Sequence, residues 1–314
     1  MAKRRLLTGL QSSGTLHIGN YFGALKPFVD TYENYESMLM VADYHALTSL
    51  KDGAKMKENI FNAVKDYLAI GVDPEKAVIF KQSDVLQHTE LAWIFDCLVT
   101  IPFLQQGHAY KDKVAKGQEA NAGLFTYPML MAADILLYDT DLVPVGEDQR
   151  QHIEYAREAA NKFNIAFGET FKEPKELILE GVGVVPGTDG AKMSKSYGNG
   201  IPLFGTRDEI AKAVMSIVTN SDYEIPLNVY NIHSLLKDTK ELAVFYSENK
   251  GKYKNLKDAL VEDLDAYLAP MREKRASITD ADVIEVLQKG GRKAGDLAEK
   301  KMRIVREKIG VALY

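Results

Sequence analysis

The chain has 314 residues, 46% hydrophobic and 26% charged, a net charge of −5 and one cysteine. That is globular composition with room for two domains, and it excludes a disordered or fibrous chain and, by its sign, a surface built for non-specific DNA binding. Cys97 alone forms no internal disulfide, and six scattered histidines without a second cysteine offer no metal-ligand spacing, so neither structural zinc nor an iron–sulfur cluster is expected.

The start, MAKRRLLTGLQSSG, is basic, but its apolar run is only Leu6–Leu7. Neither a signal peptide nor a membrane span is expected, and the protein should begin near Met1 and work in a reducing cytoplasm. Arg5–Leu10 reads as a buried strand that runs into a Gly-rich turn, with a helix from about Gly19. Pro27 falls where that helix should be in mid-course, so the helix is expected to be short or bent there. Ser37–Ala42, Ala77–Lys81 and Asp141–Val145 read as further strands. Between the second and third, Met56, Ile60, Val64 and Leu68 form the stripe of a helix over 54–70, stopped by Gly71.

From about Gly181 the stretch GVGVVPGTDGAKMSKSYGNG loses periodicity and reads as a mobile loop or linker. Almost everything after it reads helical. Thr206 with Glu209 forms a capping box, and Thr279 with Asp282 another before the last helix. Eight Lys/Arg against three acids between Gln288 and Lys308 give that helix a local +5, leaving the rest of the chain near −10. A solvated face and a polyanion-binding surface are both open readings of that run. The alternation implies an α/β fold: a Rossmann-like parallel sheet with helices on both faces, plus a smaller all-helical domain. The expected division is 1–186 for the sheet domain and 187–289 for the loop and helical domain, with the last helix, about 290–314, returning to pack on the sheet.

Two segments carry chemistry. In TGLQSSGTLHIGNY, residues 8–21, glycines let a nucleotide approach the backbone, free N–H groups suit a phosphate, and Gln11, His17 and Asn20 offer hydrogen bonds to purine, ribose or phosphate. In Lys192-Met193-Ser194-Lys195-Ser196, two ammonium groups and two hydroxyls on a Gly/Ser-rich loop suit a departing pyrophosphate. Taken singly, His17 also fits a structural role and the loop an exposed polar surface.

Together, L-H-I-G-N and K-M-S-K-S resemble the paired signatures of class I aminoacyl-tRNA synthetases, and MLMAADILLYDTDLVPVGEDQRQHIEYARE, residues 129–158, resembles the tryptophanyl branch of that family. The resemblance runs over most of residues 5–200. It implies ATP-dependent activation of L-tryptophan to the adenylate, followed by transfer to tRNA(Trp), with AMP and pyrophosphate released. Gly9, Gln11, His17, Gly19 and Asn20 would cradle ATP, Asp148 would hold its ribose, and Lys113, Lys192, Ser194 and Lys195 would neutralise its phosphates. Asp134 would accept the indole N–H, Tyr127 and Gln149 would hold the ammonium, His45 would help at the carboxylate side, and Met131 would pack on the ring. Magnesium would arrive on the ATP, carried by phosphates and water. A homodimer is implied, with helices between about residues 85 and 135 at its interface, where Trp93, Phe95 and Leu98 fit core equally well. Asn20 departs from the histidine of most class I enzymes, as the tryptophanyl branch allows, and Leu104–Ala109 matches the family poorly. The nearest alternative is a tyrosine ligase of the same fold. A small-molecule nucleotidyltransferase leaves the second signature and the basic helix unexplained, and intact Lys192, Lys195 and His17 speak against an inactive RNA-binding paralogue.

Overall fold

A computed structural model describes residues 3–10, 16–117, 119–144, 150–177, 185–194, 197–219 and 225–313. Its sheet comprises β1 (Arg5–Leu10), β2 (Glu36–Val41), β3 (Val78–Lys81), β4 (Leu142–Pro144) and β5 (Lys175–Leu177), ordered β3-β2-β1-β4-β5 with every pairing parallel. The four strands expected from apolar runs are present. The fifth, Lys-Glu-Leu, is too short and polar to announce itself in the sequence. Because β1 has β2 on one side and β4 on the other, the strand order reverses at its carboxyl end, where a crevice opens in such sheets. Gly9, near that end of the central strand, is exposed.

The connections begin with α1 (Ile18–Asn20), a π-helical turn over Tyr21–Leu25, and α2 (Lys26–Thr31). The Lys26 N–H reaches back five residues to the Tyr21 carbonyl. This wide turn puts Pro27 in the first turn of α2, where no N–H is required, so the proline is accommodated without breaking the rod. After β2 come α3 (Asp43–Ala46) and α4 (Gly53–Ala69); Gly71 then stops the chain's helical course at φ +112°. Next are α5 (Gln87–Asp96), α6 (Ile101–Leu104), α7 (His108–Ala115), α8 (Ala122–Leu136) and, beyond β4, α9 (Arg150–Phe167). The remainder is helical: α10 (Arg207–Met215), α11 (Leu227–His233), α12 (Thr239–Glu248), α13 (Tyr253–Ser277) and α14 (Asp280–Lys308). Both expected capping boxes are formed. No described helix is long and apolar enough to cross a membrane.

Alternate strand residues feed two cores. Leu6, Leu39, Val41 and Ile79 face α4 and share one core with α10, α11 and α13. Leu7, Met38, Met40 and Phe80 face α5, α8 and α9 in the other. The last helix serves both: Val283 and Leu287 belong to the first core, and Ala294, Ala298, Met302 and Val305 to the second. It changes face around Gly290, where an added Cβ would lie 1.8 Å from the Ile79 carbonyl oxygen. α14 therefore rests backbone to backbone on β3 and covers the sheet edge.

Candidate active site

The first signature caps a helix. His17, only 6% exposed, accepts the Asn20 N–H on Nδ1 at 3.2 Å, while Asn20 Oδ1 accepts the His17 N–H at 3.2 Å. The pair is a reciprocal capping box with imidazole and amide in place of the usual hydroxyl and carboxylate, which gives Asn20 a local structural reason. The second signature lies against it. Gly19 N–H approaches Met193 Sδ at 3.3 Å, and a Cβ on Gly19 would meet Met193 Cβ at 3.0 Å. The Ile18 N–H donates to the Ile201 carbonyl and the Leu203 N–H to the Leu16 carbonyl, pinning the two segments side by side.

Buried Asn199 shapes the second segment: its Oδ1 accepts the Ser194 N–H at 2.8 Å, and its Nδ2 donates to Asp189 Oδ1 at 2.7 Å and to the Lys192 carbonyl at 3.2 Å. Gly187 is obligatory beside it, since a Cβ there would fall 2.3 Å from Asn199 Nδ2. Met193 is buried, whereas the Lys192 side chain is exposed at the surface of this turn.

The second half of the site stands on α8. Tyr127, Met131 and Asp134 recur at i, i+4 and i+7, one face of the helix, and Asp134 is 2% exposed. His45, on α3 beyond the carboxyl end of β2, places Nε2 2.8 Å from Asp134 Oδ2. Gln82, just past β3, donates Nε2–H to Oδ1 at 2.7 Å, and its Oε1 accepts the Tyr44 and His45 N–H groups at 3.1 and 3.3 Å. An ionised carboxylate only accepts, so both His45 Nε2 and Gln82 Nε2 must carry hydrogens, which fixes the imidazole tautomer and the amide orientation. Fully buried His88 adds Nδ1 at 2.6 Å from Oδ1, off the line of a well-aligned hydrogen bond. Burial pushes the Asp134 carboxyl upward, but the His88 charge and the His45 and His88 contacts outweigh it and hold the group down to about 2. The His45 and Tyr127 rings meet edge to face at 6.2 Å, and burial raises the Tyr127 phenol.

The structure thus unites His17, Gly19 and Asn20 with the Lys192–Ser194 turn, and His45 with Tyr127 and Asp134. Lys113 is half-buried on α7, whose Tyr110 ring packs edge-on against Phe125 of α8 at 5.0 Å. Gln11, Asp148, Gln149 and Lys195 lie outside the described residues. Gln82, His88 and Asn199 were not singled out from sequence, because each acts only through a partner brought close by the fold.

A model of the family described as tRNA synthetases class I (W and Y) matches residues 2–280. The chain belongs to this family. Among its relatives, the tryptophan--tRNA ligase of Fusobacterium nucleatum is 46% identical over 98% of both chains, and that of Campylobacter jejuni is 46% identical over 98% of this chain and all of its own. The crystal structure of the Campylobacter jejuni tryptophanyl-tRNA synthetase with ADP and tryptophan superposes with a TM-score of 0.92 at 46% identity, covering 98% of this chain and 99% of that one. A tyrosyl-tRNA synthetase from Archaeoglobus fulgidus, with tyrosine, reaches a TM-score of 0.68 at 19% identity, covering 88% and 90%. That second likeness shows the shared fold. In this chain the segment after β1 that carries the first signature and the loop that carries the second lie side by side.

Proposed function

We propose that this synthetase is the tryptophan ligase of its family: it activates L-tryptophan with ATP and transfers it to tRNA(Trp). The observation that carries the choice of amino acid is Asp134, an acceptor-only group kept ionised deep in the wall of the site. An indole offers a ring N–H and no acceptor, so such a group selects it. The relatives at 46% identity over nearly the whole chain are tryptophan ligases, and one of their structures holds tryptophan with ADP.

In the first step the tryptophan carboxylate attacks the α-phosphate of magnesium-bound ATP and pyrophosphate leaves; in the second the adenylate acylates the terminal adenosine of tRNA, at the 2′-hydroxyl by the family rule. Catalysis is positioning plus stabilisation of charge as it moves to pyrophosphate. Gly9, Gln11, His17, Gly19, Asn20 and Asp148 bind the nucleotide, and Lys113, Lys192, Ser194 and Lys195 meet the phosphates. Met131 and Asp134 take the indole, and Tyr127, Gln149 and His45 take the backbone end of the amino acid. Helices within 187–289 would bind the anticodon. The protein would act in the cytoplasm as a homodimer: Leu86, Trp93 and Ile101 are exposed on α5, α6 and the turn before them, as a contact face with a second copy requires, whereas Phe95 is core. The test is ATP-dependent charging of bacterial tRNA with labelled tryptophan. Acid-precipitable label from tryptophan and not from tyrosine is expected; label from tyrosine alone would overturn the proposal.

A further inference from the structure

Behind Asp134 stands a second layer that the signatures do not contain. His88 is fully buried on α5, 46 residues earlier in the chain, with Nδ1 2.6 Å from Asp134 Oδ1 and Nε2 2.8 Å from the Tyr138 hydroxyl. Its ring stacks on Phe80 of β3 at 6.2 Å with 21° between planes, so it cannot swing away. The protonation pattern follows from chemistry. A bare nitrogen lone pair 2.6 Å from an ionised oxygen would repel it, so Nδ1 carries the hydrogen, and Nε2 pairs with the Tyr138 hydroxyl. Burial raises the Tyr138 phenol, so its hydroxyl stays protonated.

The lone-pair count on Asp134 then becomes informative. Gln82 donates to Oδ1, where His88 Nδ1 at 2.6 Å leaves no room for a further donor, and His45 claims one side of Oδ2. A carboxylate has about four acceptor directions, and among the described residues the one left over lies on Oδ2. We infer that His88, backed by Tyr138, is a specificity-determining positioning residue: it anchors Oδ1 so that Oδ2 presents a single acceptor direction, matched to one ring N–H. This inference rests on the proposed contact of Asp134 with the indole and adds the groups that make the contact selective.

The test compares kcat/KM for tryptophan with that for 3-(3-benzothienyl)alanine, in which sulfur replaces the ring N–H, by amino-acid-dependent exchange of pyrophosphate into ATP. His88→Phe keeps the ring against Phe80 and removes the nitrogen that meets Oδ1; it should lower the tryptophan preference by at least about tenfold, the scale of leaving a buried charged group without one polar partner. His88→Asn restores an N–H near the Nδ1 position and should stay within about threefold of the unaltered enzyme, a rescue that a space-filling role would not give. Tyr138→Phe removes the partner of His88 Nε2 and should shift the ratio the same way by a smaller factor; if His88→Phe does not fold, this variant decides. An unchanged ratio in the folded Phe variants, or an equal loss with His88→Asn, overturns the inference. Absence of tryptophan-dependent exchange in the unaltered enzyme would instead overturn the functional proposal, and this inference with it.

Discussion

At Asp134 hydrogen bonds from His45 and Gln82 and the close contact of His88 converge from three different parts of the fold on one buried carboxylate, and the consequence is a group that stays ionised where an aromatic ring would lie. Asp134→Asn turns one acceptor into an N–H that must face His45 or Gln82, both already donors. We expect kcat/KM for tryptophan to fall by about a hundredfold or more, with the KM for ATP within a few-fold, and discrimination against phenylalanine to erode. Unchanged selectivity among tryptophan, phenylalanine and tyrosine in the exchange assay would remove Asp134 from the role assigned to it. The pH dependence has a definite sign. The carboxyl titrates near 4 when unfolded and at about 2 in the fold, so its contribution is complete above about 4 and is lost as pH falls toward 2. The tryptophan KM should therefore show no acid-side rise between pH 8 and 5. The position of Asp134 was legible in the sequence through the family pattern around it. Gln82 and His88 were not: they lie 52 and 46 residues away, and nothing in a local window shows that their strand end and helix meet α8.

At the scale of elements, the local signals carried far: apolar runs for four strands, a four-residue stripe for α4, and two capping boxes. What escaped was what packing decides. The π-helical turn before Pro27 is a response to a missing N–H that sequence could flag only as a difficulty, and Asn20, third residue of α1, turned out to close the capping box that His17 opens. The passage of α14 across β3 depends on the absence of a side chain at Gly290, and it supplies a sharp contrast. Gly290→Ala should cost about 3 kcal/mol or more, since the Cβ would meet the Ile79 main chain, which cannot rotate away. Gly295→Ala on the same helix, with nothing within 4 Å of its Cβ, should raise stability by about 0.5–1 kcal/mol. Urea denaturation of the two variants checks both; equal tolerance would mean that α14 is not seated on the strand.

Across the whole molecule, the basic last helix divides by exposure. Lys301 is buried, with Nζ 2.6 Å from Asp139 Oδ1 and 3.0 Å from the Thr170 carbonyl, and Arg306 is clasped by Glu90 of α5 and by Glu299, so these two cations hold the helix to the elements beside the sheet. Lys289 is paired with Glu75. Arg292, Lys293, Lys300, Arg303 and Lys308 are exposed, as contacts with a phosphate backbone require, and Lys293, Lys300 and Arg303 are three of them to test. Neutralising those three should weaken tRNA charging and flatten its salt dependence while leaving exchange unchanged, because adenylation needs no tRNA; Lys301→Ala should instead lower the melting temperature. Loss of exchange in the triple variant would make that face structural. Activation of one amino acid, tryptophan, on ATP is most directly measured by exchange of labelled pyrophosphate into ATP by the purified protein with each of the twenty amino acids in turn: exchange with tryptophan and background with the others is expected, and exchange driven by tyrosine, or by none of them, would contradict the tryptophan assignment.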